Sequence, residues 1–300
     1  MKTQRNSYKQ LKKVSKILYQ FFKNIDKYLP YHQFCNKHEC DQYKDKCDLV
    51  GSLIVGKKNE LIDICARLHH LINQLLNSTQ SQVEETHLEY LNFWLNHELH
   101  KIDDKICPDT FCQLMRARNT QNRALGKLKS HSYYINKEEV NNINLLYYIY
   151  YNYNEIEKIL DNTEASQEPV NSYAKYCVEK YRELRAKCSE KDSDLCKALD
   201  VFQTKYENTN IRKEELPDWT IYRLPSLHVV EVIKSLDTGN SDNETTVLSG
   251  GSIPTKNVRQ PSIILMLSED PEGLSTGPLR TSTIKQGRVL DNLKGECYKK

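Results

Sequence analysis

The sequence predicts an all-α protein: a multi-helix bundle of about seven helices, cross-linked by disulfides and followed by a largely disordered C-terminal tail. Three observations carry that reading. Apolar residues recur at spacings of three and four from residue 5 to about residue 210, with no convincing strand series between them. Only three of the ten glycines precede residue 239, as long helices joined by polar turns require. Ten cysteines, at positions 35, 40, 47, 65, 107, 112, 177, 188, 196 and 297, point to covalent cross-links or a metal site.

The elements follow in order. Leu11, Val14, Leu18, Phe21, Ile25 and Tyr28 form a first helical stripe that Pro30 is expected to stop. In "KNELIDICARLHHLINQLLN", Leu61, Ile64, Cys65, Leu68, Leu71, Ile72 and Leu75 share one side. The third helix contains "YLNFWLNHEL", residues 90–99. At about 100° per residue, Leu88, Leu91, Trp94, Leu95, Leu99 and Ile102 fall on one arc, with Tyr90, Phe93 and His97 beside it. Glu89, Asn92 and Asn96 share the narrow polar strip that remains. Solvent is the plain assignment for the two asparagines, and capping or binding a neighbour's backbone is the alternative. A helix apolar over most of its circumference belongs in the middle of a bundle. Glu98 falls inside the apolar arc and needs a partner there if it is buried.

Pro108 suits a first helical turn, with Asp109 favourable beside the N-terminal dipole. Three further helices read from residues 137–162, 169–188 and 193–208, and Asp192 or Ser193 can cap the last of them. Basic clusters such as "KQLKKVSK" and "RNTQNRALGKLK" read as solvated helix faces. Composition then shifts, since seven of ten glycines and six of nine prolines lie beyond residue 212. The predicted division is therefore a helical domain, residues 5–211, and a low-complexity tail, residues 212–300, without a transmembrane span. The longest aliphatic run, "IILML" at 263–267, cannot cross a bilayer of about 30 Å. At the N-terminus, lysines 12, 13, 16 and 23 interrupt any secretory apolar core.

Cysteine spacing narrows the cross-links. Cys188 and Cys196 flank a polar turn, and pairing them would staple a helical hairpin for roughly 2.5 kcal/mol. Cys177 and Cys188, eleven residues apart on one helix, sit about 16 Å from each other, so Cys177 must reach another helix or stay free. Cys107 and Cys112 can join only if Cys107 lies outside its helix, and otherwise each reaches a different neighbour. Cys35, Cys40 and Cys47, with His32 and His38 nearby, admit zinc as a rival reading, but neither spacing is the C-x2-C knuckle. The disulfide candidates are thus Cys35, Cys40, Cys47, Cys107, Cys112, Cys177, Cys188 and Cys196, with no metal assigned. Nine cysteines precede residue 200, so one stays unpaired unless Cys297 folds back.

Several function classes find little support. A net charge of +3 is too small to argue for nucleic acid. There is no Gly-rich phosphate loop, no G-x-S-x-G and no H-E-x-x-H, so no catalytic residue or cofactor is assigned. His69 and His70 are adjacent on a helix and point about 100° apart, which rules out a shared metal. Recognition through surface contacts is the better expectation. In "LLYYIYYNYNEI", Leu146, Ile149, Tyr150, Tyr153 and Leu160 make the core face. Tyr147, Tyr148 and Tyr151 point elsewhere and form the candidate contact patch, since tyrosine gives contact area at low entropic cost. Packing of those rings against a neighbouring helix is the competing reading.

One resemblance adds to this. The block Tyr90, Leu91, Asn92, Phe93, Trp94, Leu95 resembles the signature of the Plasmodium interspersed repeat (PIR) proteins, particularly the vivax-type Vir members. "NELIDICARL", "QYKDKC" at 42–47 and "CSEKDSDLCKALDVFQTKY" are similar to further family segments in the same order, and the likeness spans about residues 8–210. The resemblance implies a non-enzymatic variant antigen of the infected red cell, with an all-helical, disulfide-stabilised ectodomain. It implies export without a standard signal peptide, roles in antigenic variation, immune evasion and host-cell adhesion, and host antibodies or a host-cell surface protein as partners. This chain departs from the pattern at Leu88, where relatives often hold a cysteine, so one bridge is expected to be missing. Relatives usually carry a transmembrane helix after the low-complexity segment. Its absence here leaves surface anchoring open, and the alternative is an intracellular or exported soluble interaction scaffold with reduced cysteines.

Overall fold

A computed structural model describes residues 18–32, 37–76, 85–162, 166–188, 193–211 and 219–228, all within one compact unit. Among the described residues there are eight α-helices, four 3₁₀ segments and no strand. The helices are α1 (Lys37–Asp41), α2 (Lys58–Leu76), α3 (Glu85–Ile102), α4 (Pro108–Arg118), α5 (Arg123–Lys129), α6 (Lys137–Leu160), α7 (Gln167–Ala186) and α8 (Asp194–Glu207). Their starts follow local chemistry. Pro108 opens α4, where its missing N–H costs nothing. Asn122, Asn136, Ser166 and Ser193 cap α5 to α8 through side-chain oxygens that accept first-turn amides, each worth about 1 kcal/mol.

The first predicted helix differs in kind. Leu18 is α-helical, and beyond it the described part is two 3₁₀ segments, Gln20–Lys27 and Leu29–His32, with Asn24 outside helical geometry at φ −129°. Phe22, Ile25 and Tyr28 recur every three residues, the 3₁₀ repeat, and all three are buried. Pro30 lies within the second segment rather than after the run. Residues 1–17, which hold the start of that stripe, lie outside the described residues.

α3 is the centre. Eleven of its eighteen residues are buried. It packs against α2, α4, α5, α6 and the 20–27 segment, and from Leu88 to Asn96 every residue is buried. Aromatic rings tie these neighbours together. Tyr28 stacks on Tyr90 at 4.5 Å, and Phe21 lies 5.7 Å from both Tyr90 and Phe93. Phe22 continues to Tyr150, and Tyr150 meets Phe202 of α8 edge-on at 5.1 Å. Such contacts add about 0.5–1.5 kcal/mol each beyond the area they bury.

α6 and α7 form the most extensive helix pair. The short 161–166 link makes them an antiparallel hairpin, and proximity agrees: Tyr148 lies within electrostatic reach of Tyr176, and Tyr151, three residues on, within that of Tyr173, three residues back. α8 closes the bundle over both helices. Residues 219–228, inside the span predicted as tail, pack onto this body, with Trp219 and Leu227 buried. Gln167 Oε1 accepts from the Thr220 and Ile221 amides, while the Arg182 guanidinium donates to the carbonyls of Ser226, Leu227 and His228 at 2.9–3.1 Å. From residue 229 the predicted tail lies outside the described residues. Among the described residues no helix is long and apolar enough to cross a membrane.

Glu98, predicted to need a partner, has two. It is 4% exposed, with Arg67 of α2 at 2.9 Å and Lys101 on the other carboxylate oxygen at 2.6 Å. Burial alone would raise its pKa, but Arg67 and Lys101 together hold the carboxyl below its ordinary value. Arg67 also lies over the Trp94 ring at 5.4 Å. Glu98→Ala removes the buried partner of Arg67 at this α2–α3 contact and leaves Asp63, on the same helix and half-exposed at 2.9 Å, to pair with it. It is expected to destabilise the protein by about 2–4 kcal/mol in urea denaturation at pH 7. Because the Glu98 pKa is depressed, its stabilisation is present above the unfolded value of 4.5 and disappears as the pH falls through the folded one, so the wild-type advantage should shrink toward pH 3.

Candidate functional site

The signature block is turned inward. Tyr90, Leu91, Asn92, Phe93, Trp94 and Leu95 are all buried. Asn92 and Asn96 are fully buried, which overturns the solvent assignment and favours the backbone-binding alternative. Asn92 Oδ1 accepts from the Tyr133 amide at 3.1 Å, and Asn96 Oδ1 accepts from the Ile135 amide at 2.9 Å. Asn96 Nδ2 donates to the Tyr133 carbonyl at 3.0 Å and to the Asn92 carbonyl at 2.8 Å. One turn apart on α3, the two amides hold the extended link between α5 and α6 as a neighbouring strand would.

Glu89, on the same strip, is buried too. Its Oε2, Asn92 Nδ2 and the Tyr133 hydroxyl are buried without hydrogen-bond partners. Burial, aided by the charge of Glu85, pushes the Glu89 carboxyl up to about 8, so it is mostly protonated at neutral pH.

The cysteines divide three ways. A disulfide joins Cys188 to Cys196 across the α7–α8 turn, with Cα atoms 5.7 Å apart. A second joins Cys47, just after the 3₁₀ segment Lys44–Lys46, to Cys65 on α2, with Cα atoms 5.8 Å apart. Cys40 and Cys107 are also disulfide-bonded. Cys112 and Cys177, expected as disulfide candidates, are instead free and buried. Each sits on the core face of its helix, and Cys177 Sγ lies 3.5 Å from the Ile149 carbonyl. Burial pushes both thiols up to about 12, which makes them poor nucleophiles. Cys35 and the side chains of His32 and His38 lie outside the described residues. The spacing of Cys65 had marked it only as part of an apolar stripe. Its partner is a long-range neighbour that periodicity cannot name.

Cys47, Cys65 and His69 lie together. Their sulfurs and one ring nitrogen fall within 4.8 Å of one another, and all three residues are buried. His69 follows Cys65 by four residues on the same face of α2, and its ring stacks on Tyr43 at 5.6 Å. Burial, with the nearby Lys46 charge, lowers its pKa to about 4. Its Nε2 is buried and has no hydrogen-bond partner. The ring lines a cleft of about 390 Å³ shared with Tyr43, Lys46, Asn73, Asn122 and Arg123.

The tyrosine patch is divided. Tyr147 is buried, and its hydroxyl donates to the Tyr28 carbonyl at 2.9 Å, so it cannot belong to an exposed patch. The reason is that α6 has neighbours on two sides, α3 and the 20–27 segment on one and α7 and α8 on the other, which widens its apolar face beyond a single stripe. Tyr148 and Tyr151 are half-buried. With Tyr173 and Tyr176 of α7, also half-buried, they line the seam of the hairpin. The α7 pair was missed because its tyrosines stand among charged residues.

Two predictions follow from the buried polar strip. Asn96→Leu leaves the Tyr133 carbonyl and the Ile135 amide unpaired. It is expected to cost about 2–4 kcal/mol in urea denaturation, and the Ile135 amide should exchange its hydrogen faster. For Glu89, the folded carboxyl holds its proton to about pH 8, whereas an unfolded one releases it near 4.5. The folded state therefore binds more protons between those values, and the stability this contributes is present below 4.5 and is lost as the pH rises to about 8. Glu89→Gln is expected to match wild type near pH 5 and to exceed it by about 1–3 kcal/mol at pH 8.5 in chemical denaturation.

A family model described as Plasmodium vivax Vir protein matches residues 18–262, most of the chain. No curated protein and no solved structure matches it. The matched span takes in the buried signature of α3, both described disulfides and the strap of residues 219–228. The chain belongs to the Vir protein family of Plasmodium vivax.

Proposed function

We propose that this chain is a variant antigen of the infected red cell, exported by the parasite, which works by displaying a changeable exterior on a fixed helical frame. The observation that carries the reading is the inward orientation of all six signature residues, Tyr90 to Leu95. A motif whose side chains are all in the core serves the frame, and the sequence on the solvent side is then released from the demands of folding. Disulfides that tie the segments flanking helices to the helices themselves suit a protein that works in oxidising surroundings. In this reading the function is non-enzymatic, and the partners are host antibodies or a host-cell surface protein. Tyr148 and Tyr151, with Tyr173 and Tyr176 beside them, are the contact residues for adhesion, since half-exposed rings held by packing lose little entropy on binding.

Antibodies raised against the folded full chain should label intact infected cells. Labelling that needs permeabilisation would overturn display and favour the internal scaffold, as would a native protein whose cysteines are nearly all open to alkylation. Alanine at Tyr148 and Tyr151 together should lower host-cell binding at least about tenfold while leaving the helical circular dichroism unchanged. Unchanged binding would remove the patch.

A further inference from the structure

We infer that Cys47, Cys65 and His69 form a zinc site that the Cys47–Cys65 disulfide closes and reduction opens. Among the described residues this is the one group of three metal-ligating side chains close enough to share an ion. Two of its members are fixed on one face of α2 by their four-residue spacing, and the third is brought over them at the end of the 3₁₀ segment Lys44–Lys46. Tetrahedral zinc needs sulfur at about 2.3 Å and nitrogen at about 2.0–2.1 Å, which sets ligand atoms about 3.5–3.8 Å apart. The three donor atoms already lie within 4.8 Å of one another, so side-chain rotation after the sulfurs separate is enough. The Cα separation of 5.8 Å needs no helix to move.

A second, independent observation points the same way. His69 is 2% exposed, yet its Nε2 has no hydrogen-bond partner. Buried polar atoms without partners are few in folded proteins, and each calls for an explanation. Stacking on Tyr43 holds the ring in place without satisfying it. Among the described residues no histidine or carboxylate completes such a group beside the Cys188–Cys196 disulfide.

The chemistry balances with a dithiol as reductant. The dithiol gives two electrons and two protons to the Cys47–Cys65 bond and is itself oxidised to a disulfide. Zinc then displaces the two thiol protons to solvent, and the thiolates and the neutral imidazole bind it. Three protein ligands leave the fourth position to water, which can enter from the cleft that His69 lines.

Cobalt(II) reports on this site directly. Full-length protein is reduced with a phosphine, freed of metal and titrated with Co²⁺ while helix content is followed by circular dichroism. The expected result is one equivalent with the visible bands of a tetrahedral ion and thiolate-to-metal charge transfer, displaced by Zn²⁺. His69→Ala should weaken that binding by more than the roughly 10–100-fold that loss of an outer-shell partner costs. His69→Cys should restore a tetrahedral spectrum with stronger charge transfer, and Cys188→Ser/Cys196→Ser should leave the equivalent intact. A full-strength spectrum in His69→Ala, or no cobalt uptake by reduced wild type that keeps its helices, overturns the inference. If the reduced chain unfolds, zinc must restore its helix content in wild type and not in His69→Ala; failure to do so overturns it equally.

Discussion

The constraint on which the rest depends is that α3 is buried on every face from Leu88 to Asn96, and again at Glu98. That stretch cannot leave a charged or amide group to water, so each polar residue in it dictates a partner elsewhere or gives up its charge. Glu98 requires Arg67, which in turn fixes how α2 lies along α3 and places the guanidinium over Trp94. Asn92 and Asn96 require backbone groups, and the link between α5 and α6 supplies them. Glu89 has no such partner, and it avoids the cost of a buried charge by keeping its proton. The packing of four helices is thus specified less by the leucines, which would accept many arrangements, than by a few polar groups that accept one.

Covalent bonds divide the labour differently. The Cys188–Cys196 disulfide closes a short turn between two helices that already pack together. The Cys47–Cys65 disulfide does more, because the segment before α2 is built of one short helix and short 3₁₀ turns, with no long helical face of its own to hold it. Fixing it to α2 sets that wall of the His69 cleft. The free thiols, Cys112 and Cys177, behave as small apolar residues.

Much of this fold was legible in the sequence, and the failures share a cause. The stripes of α2, α6, α7 and α8 read directly, because each has a distinct apolar side and a capping residue or polar turn at its start. Glu98 was recognisable as a residue in need of a partner, since one helical wheel shows the conflict. The Asn pair was assigned to solvent because a wheel shows which residues share a face and not what covers that face. Tyr147 was misjudged for the same reason, as α6 has neighbours on two sides. α5 was read as a solvated basic face, although Asn122 caps it and Ala124, Leu125 and Leu128 anchor it. Gly126 and its lysines masked that short stripe. The cluster of Cys47, Cys65 and His69 joins segments whose approach is a tertiary fact, and spacing within either segment carries no trace of it.

The grips on the α5–α6 link and on residues 219–228 have a property in common. Asn92, Asn96 and Arg182 hold their targets by peptide carbonyls and amides, which every residue except proline presents alike. A clamp of this kind is indifferent to spelling. Substitutions at the solvent-facing positions of the held segments change the surface while the hydrogen bonds beneath persist, so exterior and scaffold can vary independently.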